Sequence, residues 1–178
     1  MTILENRKIA MIIAYKNFRD EEYEVPHKIF EELSADVKTF SDELGVAQGV
    51  DGMEVTVDSR LIDLDIYEFD AIVFIGGPGA LEHLDISESY QIAKDAIKQN
   101  KILAAICIAP GILAKAGVLR GKRATVWTSS LNKDAQRVLE QNGAIYQSDS
   151  VVVDGKIITA DGPNSVEEFA NKIVDALK

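Results

Sequence analysis

Three short, nearly unbroken apolar runs constrain this chain more than any other feature: Lys8–Ala14 (KIAMIIA), Ala71–Ile75 (AIVFI) and Ile102–Ile106 (ILAAI). Each is too short to cross a bilayer and too continuous for a strand with one wet face, so each reads as a strand buried on both sides. Parallel strands of that kind need helical crossovers. Glu22–Leu33 carries Val25, Ile29, Phe30 and Leu33 at helical spacing, and Ser87–Gln99 carries Tyr90, Ile92, Ala93 and Ile97. The alternation predicts an α/β fold with a mainly parallel central sheet and helices on both faces. A chain of 178 residues, 47% hydrophobic and 27% charged, has the size and composition to build this as a single domain spanning 1–178.

Shorter signals fill in the rest. Pro26 suits only an early turn of the first helix, and the acidic group Asp20, Glu21, Glu22 and Glu24 complements the helix dipole on a solvated face. Asp36–Phe40, Met53–Val57, Ser59–Ile62, Arg123–Trp127 and Ala144–Tyr146 are β-prone. Helices are predicted over Ile108–Ala116, closed by Gly117, and over Lys133–Asn142, followed by Gly143. Val151–Thr159 reads as a small β-hairpin around Asp154-Gly155, and Ser165 with Glu168 forms a capping box for a last helix reaching about Leu177.

In parallel sheets ligands bind beyond the carboxyl ends of the strands. The third apolar run ends there in the chain's only cysteine, Cys107, with Ile108-Ala109-Pro110-Gly111 opening a helix. A thiol at such a turn is exposed beside free N–H groups, which depress its pKa and make it a nucleophile; the alternative is a buried, inert cysteine. The second run ends in Gly76-Gly77-Pro78-Gly79, where N–H groups of Gly77 and Ile108 can form an oxyanion pocket beside the sulfur. The first run leads to the acidic group, in which Glu22 is not distinguishable by composition from Glu21 or Glu24. A carboxyl near a thiolate in a buried pocket has a raised pKa and can move protons.

Other classes of function are excluded or unsupported. Nineteen basic against twenty-nine acidic residues, net charge -10, disfavour nucleic acid and anionic membranes as partners. The glycine loop matches neither a P-loop nor a dinucleotide fingerprint, so no cofactor is implied. One cysteine and two dispersed histidines give no metal-ligand spacing, and a lone thiol forms no internal disulfide. His27 sits beside Pro26 on the first helix; His83 follows the glycine loop and is within reach of the pocket or of a neighbouring subunit. The N-terminal residues lack the charge-then-apolar order of a signal peptide, which points to a cytoplasmic protein.

Ala105-Ile106-Cys107-Ile108-Ala109-Pro110 with Ala116-Gly117-Val118-Leu119-Arg120-Gly121 resembles the nucleophile-elbow region of the ThiJ/PfpI family. That family consists of flavodoxin-like proteins within the class I glutamine amidotransferase-like superfamily. Glu22-Tyr23-Glu24-Val25-Pro26 is similar to the family's Glu-x-x-x-Pro, which singles out Glu22 as the carboxyl facing the cysteine. Ile75-Gly76-Gly77 and the stretch from Val152-Val153-Asp154-Gly155 to Gly162-Pro163 match two further family motifs in the right order. The resemblance implies a flavodoxin-like sandwich, a cysteine site with a carboxylic acid partner, and a homodimer. The activities it implies span glyoxalase or deglycase enzymes, intracellular peptidases, chaperones and redox-sensing stress proteins.

The departures narrow these. Peptidase-like members place histidine directly after the cysteine, where this chain has Ile108. Another branch brings a histidine from the strand end after the elbow helix, where Trp127 stands, and an arginine in the Gly-Pro loop, where Asp161 stands. The leading expectation is a cysteine-dependent protein acting on a small electrophile such as a 2-oxoaldehyde, with Cys107 as nucleophile, Glu22 as proton shuttle, and Gly77 and Ile108 as oxyanion donors. The alternatives are a redox sensor or chaperone whose Cys107 meets an oxidant, and a peptidase or amidase.

Overall fold

The apolar runs occupy the centre of a seven-stranded sheet in the computed structural model, which describes residues 3–178. Met1 and Thr2, the first two residues of the expected 1–178 domain, lie outside the described residues. The first half of the chain comprises β1 (Lys8–Ile12), β2 (Lys16–Phe18), α1 (Asp20–Glu32), β3 (Asp36–Ser41), β4 (Val46–Gly49), β5 (Glu54–Thr56), β6 (Ser59–Arg60) and β7 (Ala71–Phe74). Then come α2 (Ala80–His83), α3 (Ser87–Lys98), β8 (Ile102–Ile106), α4 (Pro110–Lys115), β9 (Arg123–Ala124), α5 (Asp134–Gln141) and β10 (Ile145–Tyr146). The hairpin strands β11 (Val151–Asp154) and β12 (Ile157–Ala160) precede the final helix α6 (Val166–Leu177).

The sheet order is β11-β12-β8-β7-β1-β3-β6, parallel throughout except for β11 against β12. Every residue of β7, β8 and β12 is buried, as the unbroken apolar runs require of strands covered on both faces. On those faces α1 and α6 pack together, while α3 lies against β7 and β8 and touches α4. Register then places the site. Ile12 pairs with Phe74 and Phe74 with Ala105, so β1, β7 and β8 end at one level, and two residues further on Gly76 comes beside Cys107.

Several local expectations are corrected. Helix α1 starts at Asp20, which puts Pro26 in its second turn; the ring removes the N–H that the Glu22 carbonyl would otherwise receive. Ser165 builds no capping box: its hydroxyl faces Asp161 Oδ1 and the Gly162 carbonyl, each at 2.8 Å, because a 3-10 turn over Pro163–Ser165 precedes α6. Strand β9 stops at Ala124, since the next N–H groups leave the ladder: Thr125 donates to Thr159 Oγ1 at 3.0 Å and Trp127 to the Cys107 carbonyl at 2.8 Å. In the hairpin, Asp154 is the last strand residue and Gly155, at φ +62°, opens the turn. Strands β2 and β4, absent from the sequence reading, join β5 in a separate three-stranded sheet beside the N-terminus of α1.

Candidate active site

Cys107 follows β8 directly and holds φ at +62°, a left-handed conformation that costs a non-glycine residue about 1–3 kcal/mol. Hydrogen bonds on both sides keep it there: its N–H donates to Ala160 O at 2.9 Å and its carbonyl accepts from Trp127 N at 2.8 Å. The strand-to-turn geometry turns the side chain away from the core toward the carboxyl edge of the sheet, between the ends of β7 and β12.

Glu22, in the first turn of α1, is fully buried rather than on a solvated face. Its Oε2 accepts from the Gly76 N–H at 3.0 Å. Its Oε1 is sealed from solvent without a conventional partner among the described residues, and the Cys107 thiol lies against the carboxyl within hydrogen-bonding reach. Gly76 permits this approach because it has no side chain. A Cβ there would lie 2.6 Å from Cys107 Cβ and 2.7 Å from Glu22 Oε2. Gly77, at φ +105°, turns the loop so that its N–H, with that of Ile108, points at the sulfur.

Charge behaves differently here from the sequence expectation. Burial pushes the Glu22 carboxyl from 4.5 to about 7, despite the thiol and the Gly76 N–H, which favour its ionised form. Burial also pushes the Cys107 thiol from 9.0 up to about 12, and the neighbouring Glu22 charge adds to this; the Gly77 and Ile108 N–H groups oppose it. The depressed thiol pKa expected at a helix N-terminus is therefore corrected. Helix α4 has only six residues and begins with Pro110, which has no N–H, so its dipole is too weak to offset desolvation and an adjacent carboxylate. Near neutral pH the pair holds its proton mainly on sulfur, with Glu22 poised to take it.

The sulfur opens onto a cavity of about 270 Å³ lined by Arg19, Gly77, Pro78, Leu81, Cys107, Ile108 and Trp127. The structure thus gathers Cys107, Glu22, Gly77 and Ile108 in one place, and leaves both histidines outside it. His83 lies with its Nδ1 2.5 Å from Asp42 Oδ2. His27 faces Glu31 one helical turn on, at 3.3 Å, and stacks on Tyr23. The two histidines are not equally dispersed, however: Asp42, Glu43 and His83 bring ligand-type atoms within 4.8 Å of one another, a grouping invisible across 41 residues of sequence. The hydrogen bond to Asp42 accounts for the imidazole's position.

Sequence reasoning missed three participants. Gly76, read as part of the glycine loop with no contact of its own, is the surface on which the Cys107 and Glu22 side chains meet. Trp127, read only as a place where a histidine was lacking, forms a wall of the cavity. Arg19 was overlooked entirely; the only hint was a single cation immediately before the acidic run of a strongly acidic chain.

The sequence model of the DJ-1/PfpI family matches residues 7–176. An uncharacterized protein of Methanocaldococcus jannaschii is 36% identical over 98% of this chain and 84% of its own length. A Pyrococcus abyssi protein named as a deglycase is 32% identical over 95% of this chain and 99% of its own. Among solved structures, a ThiJ/PfpI domain protein from Brachyspira murdochii superposes with a TM-score of 0.90 at 34% identity, covering 98% of this chain and 97% of that one.

Proposed function

The chain belongs to the DJ-1/PfpI family, and we propose that within it the protein is a cysteine-dependent enzyme acting on small reactive carbonyls of the 2-oxoaldehyde type. The observation that carries this reading is the buried Cys107–Glu22 pair, with a carboxyl near pKa 7 against a thiol that needs a base. A general base works best when its pKa lies near the working pH. As Sγ bonds to the aldehyde carbon, the thiol proton passes to Glu22 and the carbonyl π pair moves onto oxygen. The Gly77 and Ile108 N–H groups receive that oxygen, and Glu22 returns the proton to give a neutral hemithioacetal. No histidine is needed for any of these transfers. A cavity of about 270 Å³ suits a substrate of a few carbons, and the deglycase name of the Pyrococcus abyssi relative agrees with carbonyl chemistry.

Incubation with methylglyoxal tests the reading. Purified wild type is expected to consume the aldehyde and release lactate, with Cys107→Ser inactive and Glu22→Gln slower by about 100-fold or more, the range for loss of a positioned acid–base group. Equal consumption by wild type and Cys107→Ser would overturn it.

A second reading, oxidation sensing, is favoured by the same raised Glu22 pKa. Two equivalents of peroxide would convert the thiol to a sulfinate, releasing two waters, and a protonated Glu22 would donate to a sulfinate oxygen. Mass spectrometry after mild peroxide should then show two added oxygens on Cys107 in wild type and fewer in Glu22→Leu; equal addition in both would reject it. Peptidase chemistry has the weakest support, because Ile108 accepts no proton and no histidine is among the described residues lining the cavity.

A further inference from the structure

We infer that Arg19 is the substrate-anion receptor of this site, so that the preferred carbonyl compounds carry a carboxylate beside the reacting carbon. This rests on Cys107 as nucleophile and specifies which carbonyls reach it.

Arg19 immediately precedes α1, three residues before Glu22, and its position is set by backbone contacts. Its N–H donates to the Gly76 carbonyl at 3.1 Å, and a Cβ on Gly77 would lie 2.4 Å from that same nitrogen. The glycine loop thus seats Arg19 against the rim of the cysteine pocket. Among the residues lining that cavity, Arg19 is the only one with a permanent charge; apart from the thiol, its neighbours are Gly77, Pro78, Leu81, Ile108 and Trp127.

The guanidinium has no strong partner among the described residues. Its Nε is sealed from solvent with no hydrogen-bond partner among them. The carboxylate it reaches is Asp51, 3.9 Å from its terminal nitrogen and 70% exposed. A solvated pair at that distance competes weakly. Glu22 is engaged by the Gly76 N–H and the thiol; the Arg19 charge favours its ionised form from a distance, without a salt-bridge contact between the two. Asp20, the next carboxylate on the chain, is turned away to accept from the N–H groups of Asp51 and Met53. The terminal nitrogens make no hydrogen bond to the described residues and stay partly exposed, and their planar fork matches a carboxylate in two parallel bonds.

The ligand class follows. In so small a pocket, an anion on Arg19 and a carbon on Sγ must belong to one short molecule, such as a 2-oxo acid with an aldehyde carbon next to its carboxylate. Glyoxylate is the simplest. Its carboxylate keeps its charge through thiol addition, so the proton movements of the proposed reaction are unchanged. With a net charge of -10, the chain otherwise repels anions, and the selection must be local to Arg19.

Two alkylating agents of nearly equal size test this without relying on turnover. Iodoacetate and iodoacetamide both form a C–S bond at Cys107 and expel iodide, but only iodoacetate carries a carboxylate. The ratio of their rates cancels any change in thiolate fraction. Relative to the same ratio for 2-mercaptoethanol, wild type should favour iodoacetate by about tenfold, the effect of about 1.4 kcal/mol. Arg19→Gln should remove that preference and Arg19→Lys should keep part of it. A wild-type ratio no higher than that of 2-mercaptoethanol would overturn the inference without any variant, as would an Arg19→Gln ratio equal to wild type. The parallel assay separates the two readings: turnover of methylglyoxal with no iodoacetate preference leaves the carbonyl enzyme standing and rejects the anion receptor. An iodoacetate preference lost in Arg19→Gln, with methylglyoxal not consumed, establishes the receptor and rejects the enzyme.

Discussion

At Cys107 and Glu22, burial and proximity act on shared protons, and the outcome shows in stability as well as in chemistry. Glu22 has a pKa of about 7 in the folded protein against 4.5 ordinarily, so the folded state binds its proton more tightly than the unfolded chain. The associated stabilisation is complete below pH 4.5 and is lost as pH rises through about 7. At about 1.4 kcal/mol per pH unit the loss is about 3 kcal/mol. Glu22→Gln cannot titrate, and its amide oxygen can still accept from Gly76. Urea unfolding across this range should therefore show Glu22→Gln gaining about 3 kcal/mol on wild type between pH 4 and pH 8. A difference independent of pH would reject the raised carboxyl. The residue-level reading of Cys107 as the centre of the site was legible because it is the only cysteine and ends an apolar run. The direction of its pKa was not, because desolvation by surrounding side chains cannot be read from the residues on either side of it.

Among elements, the start of α1 does the most to assemble the site. It carries Arg19, Asp20 and Glu22 on one turn, with three different tasks. Asp20 ties the helix to the small sheet: its carboxylate accepts from Asp51 N at 3.0 Å and Met53 N at 2.7 Å, between β4 and β5. Asp20→Ala should cost about 1.5–3 kcal/mol, the range for hydrogen bonds to a charged group. Amide exchange at Asp51 and Met53 should accelerate selectively. Unchanged protection at those two amides would show that the loop is held by something else. The helix itself was visible in the spacing of Ile29, Phe30 and Leu33, yet its true start was not. By composition the early acidic residues look alike; the resemblance to the Glu-x-x-x-Pro motif singled out Glu22, and packing shows it buried while Glu21 and Glu24 stay at the surface. The three-stranded sheet escaped for a related reason: β2 and β4 are three and four residues long, and pairing rather than pattern makes them strands.

For the molecule as a whole, the resemblance that pointed to this family also implies a homodimer, and the chain leaves Leu44, Val46 and Val50 exposed along and beside β4. Light scattering is expected to return twice the 19.5 kDa chain mass; a monomer at micromolar concentration would reject that assembly. The fold was the most legible level. Lys8–Ala14, Ala71–Ile75 and Ile102–Ile106 became β1, β7 and β8, which lie side by side in the sheet with their carboxyl ends level. By itself, the sequence determined the parallel sheet, the cysteine at a strand end and the glycine loop beside it, because continuous apolar runs and special turn residues are local signals. The tertiary structure alone decided that Glu22 is fully buried with its Oε2 on the Gly76 N–H, that His83 belongs with Asp42, that Trp127 and Arg19 wall the pocket, and that the thiol is held protonated. Those outcomes depend on the dielectric surroundings and distances between residues far apart in the chain, which exist only once strand order and register are set.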